Sequence, residues 1–243
     1  MLGTMAIPNP EHCVAIIPCF NAGGRVLPVA EGVLREMPRL IVVDDGSTDG
    51  CIAPLRALPL QVVVMPQNLG KGHALLVGIR AALADPQVAW IVLLDADGQH
   101  DPREIPALLG AAQAQGADLL IGARVFTGQS VPWRSRFGNT ITVSVTALLL
   151  GRRLPDTQCG YRVLSRRYAE VVAREVGPGR YETEMEIIVK ALREGYTVGD
   201  HPIQTLYETG NRSSHFHKVR DSVLIYSRLL RTVLRRRRPP LSA

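Results

Sequence analysis

Short apolar runs rich in β-branched residues recur through roughly the first hundred residues, and each stops at a polar turn signal. Val14 to Ile17, Leu40 to Val43 and Trp90 to Leu94 have the make-up of buried strands, and Gln61 to Met65 is a fourth. Helical patterns lie between them, notably Ala22 to Met37 and Gly70 to Ala84. This alternation predicts an α/β fold built on a doubly wound, mostly parallel sheet. Ligands of such sheets gather at the carboxyl ends of the strands, and the polar motifs of this chain fall there.

Composition narrows the possibilities further. A chain of 243 residues that is 46% hydrophobic can bury one large domain, and no repeat period or low-complexity tract divides it. Cys13, Cys19, Cys51 and Cys159 are far apart and form no C-x-x-C pair, which indicates neither a zinc knuckle nor a disulfide framework and fits a reducing compartment. The stretch to Glu11 lacks a basic then apolar leader pattern, and no run of about 18 uncharged apolar residues occurs. The expectation is a chain that is neither secreted nor membrane-spanning. A formal net charge of +6 calls for an acidic partner. Arg228, Arg231 and Arg235 to Arg238 hold much of that excess with no acid among them, so the remainder is nearly balanced. That distribution argues against a general nucleic-acid-binding face.

The first strand ends in Pro18-Cys19-Phe20-Asn21-Ala22-Gly23-Gly24, either an ordinary strand-to-helix turn or a cradle of N–H groups for an anion or base. The second ends in Val42-Val43-Asp44-Asp45-Gly46-Ser47-Thr48-Asp49, where adjacent buried acids need hydrogen-bond donors or a cation. Asp44 can accept from a base N–H or a ribose hydroxyl, and Asp49 can cap the next helix. The strand from Trp90 delivers Asp95-Ala96-Asp97-Gly98-Gln99-His100-Asp101-Pro102. Strand alternation aims Asp95 and Asp97 the same way, and with an amide oxygen from Gln99 they suit a hard divalent cation, Mg²⁺ or Mn²⁺. The alternative to a metal site here is a solvated turn in which Asp101 caps a helix after Pro102. Lys71 and His73 open a helix, as an anion site or as a solvated first turn capped by Asn68. Glu182 and Glu184 open another, whose apolar positions Met185, Ile187, Ile188, Val189 and Leu192 face the core. Their carboxylates also suit its dipole.

Eight stretches, IIPCFNAG, VVDDGSTDG, NLGKGHAL, LLDADGQHDP, IGAR, DTQCGYRVL, YETEMEI and SSHFHKVRDS, occur in order between Ile16 and Ser222. With them the sequence resembles the inverting, family-two nucleotide-sugar glycosyltransferases of the GT-A fold, and more narrowly the polyprenyl-phosphate (dolichyl-phosphate-like) mannosyl- and glucosyltransferases. The resemblance implies a GT-A domain over 1–221 that binds a GDP- or UDP-linked sugar. It assigns Pro18, Asn21, Val42 and Asp44 to the nucleotide, Asp95 and Ala96 to the diphosphate, and Asp95, Asp97 and Gln99 to the metal. Asp97, Arg124 and Asp156 are placed at the reacting centre. Arg124 stands among the phosphates, where a bidentate guanidinium is a natural partner. Asp156 is there for a metal or sugar-hydroxyl contact rather than as a base. Arg212, Ser213, Ser214 and His215 match a loop that closes on the diphosphate, with lysine in many relatives where His215 stands. Arg134 and Arg136 are candidates for an acceptor phosphate. Glu184 is worth testing on the same grounds.

A lipid phosphate with a second pKa of about 6 is already largely a dianion at neutral pH and needs no base. It needs cationic positioning and a metal for the departing diphosphate. Thr140 to Leu150 is apolar but too short to span a bilayer, and is either interfacial or core. Residues 222–243 have the pattern of a basic amphipathic helix and tail, either lying on an anionic membrane or core-packed with a loose end. The expectation is a cytoplasmic enzyme, peripheral at the inner face of the membrane, reaching a polyprenyl phosphate alone or through a membrane-protein partner. The alternatives are a hydroxyl acceptor, which would require a base, a non-catalytic sugar-nucleotide binding module, and nucleotidyltransfer. An intact Asp95-Ala96-Asp97 disfavours the module, and a first loop without the triphosphate pattern disfavours nucleotidyltransfer.

Overall fold

In the computed structural model, which describes residues 8–124, 156–179 and 182–204, seven strands form one sheet: β1 (Cys13–Cys19), β2 (Leu40–Asp44), β3 (Gln61–Val64), β4 (Trp90–Leu93), β5 (Leu119–Arg124), β6 (Arg162–Ser165) and β7 (Val198–Ile203). Their spatial order is β3-β2-β1-β4-β6-β5-β7. Every pair is parallel except those made by β6, which runs antiparallel between β4 and β5. Five helices cover it: α1 (Val26–Glu36), α2 (Lys71–Leu83), α3 (Ile105–Ala114), α4 (Arg166–Glu175) and α5 (Glu182–Arg193). α1 packs with α3 on one face, and α2 packs with α4 and α5 on the other. Both faces are thus covered, which is why β1 and β2 are buried throughout and read as unbroken apolar runs.

Local chemistry sets the helix ends. Met37 is extended ahead of Pro38, whose ring disfavours helical geometry in the preceding residue and stops α1. α2 starts after Gly70, whose φ of 102° carries the chain out of an incoming turn. Ser165 caps α4 by accepting from the Tyr168 N–H. Asp101 caps the turn at Pro102–Glu104 by accepting from the Arg103 N–H.

Two expectations about capping are corrected. Asp49 caps no helix, because its carboxylate accepts from the N–H groups of Gly23 (2.8 Å) and Cys51 (3.1 Å) and so ties the loop after β2 to the loop after β1. Asn68 does not cap α2 either. Its side-chain amide donates to Asp45 at 3.0 Å.

The parallel register sends the carboxyl ends of β1, β2, β4 and β5 to one rim, and the reversed β6 brings its leading segment, Asp156–Tyr161, to the same rim. The segments holding Arg134, Arg136, Arg212, His215, Thr140 to Leu150 and 222–243 lie outside the described residues.

Candidate functional site

Two loops of the rim are stitched together before any ligand is considered. Asn21 adopts a positive φ of 48°, a conformation its short polar side chain tolerates. Its side-chain oxygen accepts from the Thr48 N–H (2.8 Å), and its own N–H donates to Ser47 Oγ (3.0 Å). Asp44 turns one carboxylate oxygen to the Ser47 N–H (2.8 Å). Asp45 points elsewhere. Its two oxygens accept from the N–H groups of Leu69 and Gly70, both at 2.8 Å, and fix the start of α2. Between them Gly46, at φ +74°, lies so close to the neighbouring loop that a Cβ would sit 2.7 Å from the Gln67 carbonyl carbon. Pro18 and Val42 are buried residues of β1 and β2, the strands that lead into these loops.

Asp95 and Asp97 do not reach the rim by strand alternation. β4 ends at Leu93, and both acids stand in the turn that follows, which Gly98 closes at φ +79°. They nevertheless face each other closely enough to interact. Burial, and next the charge of Asp95, hold the Asp97 carboxyl above its ordinary pKa. For Asp95, burial also opposes ionisation but loses to the Lys71 ammonium, so its pKa lies below the ordinary value. Lys71 Nζ sits 2.6 Å from Asp95 Oδ1 and 3.1 Å from Glu184 Oε1. Burial works against that ammonium too, yet the two carboxylates outweigh it and hold its pKa above the usual lysine value. Lys71 is therefore neither a solvated first-turn residue nor a cation awaiting an anion. It is shared between two acids.

His100 and Arg162 complete the support, and sequence reasoning gave neither a role. His100 is 5% exposed, and its Nδ1 accepts from the Asp95 N–H at 3.3 Å. A neutral ring accepting at Nδ1 carries its proton on Nε2, which faces Cys159 Sγ at 3.6 Å. Burial keeps it neutral by lowering its pKa, against the pull of Asp95 and Asp97. The ring stacks on Tyr161 with centroids 5.0 Å apart. Arg162 is 1% exposed and donates to the carbonyls of Cys159 (2.9 Å), Thr157 (3.3 Å) and Glu184 (2.6 Å), binding the segment before β6 to α5. Only their position after the DADGQ and CGY stretches hinted at them.

Arg124 and Asp156, expected separately at the reacting centre, meet each other. Arg124 Nε and Nη2 approach the Asp156 oxygens at 2.5 and 3.1 Å, and the Gln158 N–H donates to the same carboxylate at 3.0 Å. Asp156 is 1% exposed. The Gln99 N–H donates to Asp97 Oδ1 at 3.0 Å. Among the described residues no three His, Cys, Asp or Glu side chains converge as a cation cage. Two adjoining carboxylates form the available oxygen set, one already contacted by Lys71. Such a pair suits a hard cation that keeps water or substrate oxygens in its other positions.

A mixed sheet of this order, with its acidic loops gathered at the rim, is the GT-A fold. A crystal structure of glucosyl-3-phosphoglycerate synthase from Mycobacterium tuberculosis with Mn²⁺ and uridine-diphosphate-glucose superposes with a TM-score of 0.69 at 19% identity, covering 95% of this chain and 80% of that one. The chain belongs to glycosyl transferase family 2, whose family model matches residues 14–172, and it is a glycosyltransferase. It is 33% identical over 205 residues to polyprenol monophosphomannose synthase of Mycolicibacterium smegmatis, covering 79% of this chain and 77% of the relative. It is 27% identical over 216 residues to a UDP-N-acetylglucosamine–dolichyl-phosphate N-acetylglucosaminyltransferase of Methanococcus voltae, covering 79% and 84%.

Proposed function

We propose that this enzyme moves a sugar, with inversion, from a nucleotide diphosphate sugar to a polyprenyl phosphate at the cytoplasmic membrane face. The observation that carries the choice of acceptor is the state of Asp156. Oδ1 accepts from Arg124 Nη2 and the Gln158 N–H, and Oδ2 from the Arg124 Nε and backbone N–H groups, so the lone pairs of this buried carboxylate are occupied and it is a poor acceptor for a hydroxyl proton. An acceptor phosphate is an anion without that help. The names of the two relatives, one a synthase of polyprenol monophosphomannose and one an N-acetylglucosaminyltransferase of dolichyl phosphate, support the same class.

In this reading Asn21 and Asp44 hold the nucleoside, with Pro18 and Val42 shaping the floor. Asp95, Asp97 and Gln99 hold Mg²⁺ or Mn²⁺ beside the diphosphate near Ala96. The oxygen-rich, incompletely neutralised Asp95–Asp97 pair fits such an ion, and the Mn²⁺ and UDP-glucose of the structural neighbour support it. When bound, the metal draws charge from the departing diphosphate. An acceptor phosphate oxygen forms a bond to the anomeric carbon as the bond from that carbon to the diphosphate oxygen breaks on the opposite face. Arg124, fixed in orientation by Asp156, contributes positive charge to the leaving phosphates. Arg212 and His215 close over the diphosphate, and Arg134 and Arg136 receive the acceptor phosphate.

The test is a panel of GDP- and UDP-sugars with polyprenyl phosphate or a hydroxyl acceptor such as phosphoglyceric acid, each with Mn²⁺ or with a chelator. Transfer confined to polyprenyl phosphate and abolished by chelation is expected. Sustained transfer to the hydroxyl acceptor alone would overturn the assignment.

A further inference from the structure

Lys71 brings a cation directly onto one of the two carboxylates that the proposed function reserves for a metal. Its Nζ is 2.6 Å from Asp95 Oδ1, and the charge it presents there is of the sign that a divalent cation must supply. A lysine on a flexible stem beside two buried acids would, left alone, neutralise them and compete with the metal. Glu184 stands on the other side. Its Oε1 holds the same ammonium at 3.1 Å, and its side chain is 12% exposed.

The position of Glu184 is built rather than accidental. Arg162 donates to the Glu184 carbonyl at 2.6 Å, which locks the first turn of α5 to the start of β6. One residue earlier, Thr183 lies where a Cβ on Gly72 would fall, 2.2 Å from its Oγ1, so the beginnings of α2 and α5 are in direct contact. Gly160 passes Asp95 so closely that a Cβ there would be 2.6 Å from Oδ2. Three independent segments therefore fix where Lys71 can reach and where the Asp95 carboxylate stands.

We propose that Glu184 is a positioning residue that retains Lys71 on Asp95 Oδ1, so that the lysine aims this carboxylate without closing over the Asp95–Asp97 pair, which stays open to a divalent cation. The proposal rests on the reading of Asp95 and Asp97 as the metal pair. Removing the Glu184 charge frees Lys71 to pair with both acids, and metal binding weakens. Removing Lys71 as well relieves the competition. A purely structural role for Glu184 would show no such relief.

The experiment is Mn²⁺ binding to the full chain without nucleotide, followed by the electron paramagnetic resonance of free Mn²⁺, for wild type, Glu184→Gln, Lys71→Met, the double variant and Asp97→Asn. Glu184→Gln is expected to raise the Mn²⁺ dissociation constant by roughly tenfold, as loss of an outer-shell partner does. The double variant is expected to recover to within about threefold of wild type, a margin set by the usual scatter of additivity. In transfer assays Glu184→Gln should raise the Mn²⁺ needed for half-maximal rate by a similar factor while kcat at saturating Mn²⁺ stays above half. Unchanged Mn²⁺ affinity in Glu184→Gln, or no recovery in the double variant, overturns the positioning role. Unchanged affinity in Asp97→Asn overturns the metal reading itself, and the proposal falls with it.

Discussion

Asp44 and Asp45 are adjacent, both nearly inaccessible to solvent, and chemically identical, yet they face different neighbours. Asp45 is spent on the protein, since it accepts from two backbone N–H groups at the start of α2. Asp45→Ala leaves both N–H groups without that acceptor. At about 1–3 kcal/mol for each unpaired donor, the melting temperature should drop by roughly 4–24 °C. Asp44→Asn keeps an acceptor for the Ser47 N–H and should melt within about 2 °C of wild type, while calorimetry should show weaker nucleotide binding. A large loss of stability in Asp44→Asn with nucleotide affinity intact would reverse the two assignments. The same division applies to the acids after β4. Asp97→Ala should lose transfer by at least about a hundredfold with an unchanged circular dichroism spectrum, because the hydrogen bond its carboxylate accepts, from the Gln99 N–H, is local to the turn after β4. Retention of a tenth of the wild-type rate at saturating Mn²⁺ would remove Asp97 from the metal site.

At the scale of elements, α2 is the part on which the site turns, for it packs on β1 and β2 and carries Lys71 in its first turn. Gly78 makes that packing close. A Cβ there would lie 2.5 Å from Ile16 Cγ2 and 3.1 Å from Val43 Cγ2, so Gly78→Ala must push the helix off the sheet. Overpacking of this kind costs about 1–3 kcal/mol, against a helix-propensity gain of about 1 kcal/mol from replacing glycine. Net destabilisation in denaturant melts is expected, accompanied by a raised metal requirement because Lys71 moves with the helix. A more stable variant would show that the interface yields. The extent of α2 was legible beforehand, since Gly70 and the apolar spacing mark it within a residue of Lys71–Leu83. So were β1 to β4, whose β-branched runs admit few other conformations. The reversal at β6 was not, because Arg162–Ser165 is four residues long and carries no periodicity that tells one strand direction from the other. For the same reason the Lys71–Glu184 contact, across 113 residues of sequence, was out of reach. The acids Asp95 and Asp97 were found through the wrong geometry. Their spacing suggested a strand, whereas a glycine-closed turn brings them together.

For the molecule as a whole, the proposed lipid acceptor requires that a chain with this rim reach a membrane surface. Among the described residues no helix is long and apolar enough to cross a membrane. Every residue assigned to nucleotide, metal or acceptor precedes Ser222, and the surplus positive charge is concentrated after it, with four consecutive arginines at Arg235 to Arg238. Separation of chemistry from charge along the chain makes the two functions separable by truncation. Deleting Arg235 to Ala243 should therefore leave metal-dependent hydrolysis of a soluble nucleotide sugar within about twofold of the full chain, a difference of under 0.5 kcal/mol in barrier. Binding to vesicles rich in anionic lipid should change far more. Each arginine at such a surface contributes roughly 1 kcal/mol, so losing four should lower partitioning by well over tenfold at low salt. Ionic strength supplies the control, since the Debye length shrinks from about 30 Å at 0.01 M to about 3 Å at 1 M and exposed charges lose their reach. Full-length and truncated proteins should thus sediment differently with vesicles at low salt and converge at high salt. If they sediment alike at low salt, the arginines do not bring the enzyme to a membrane, and a membrane-protein partner or a soluble acceptor becomes the better account.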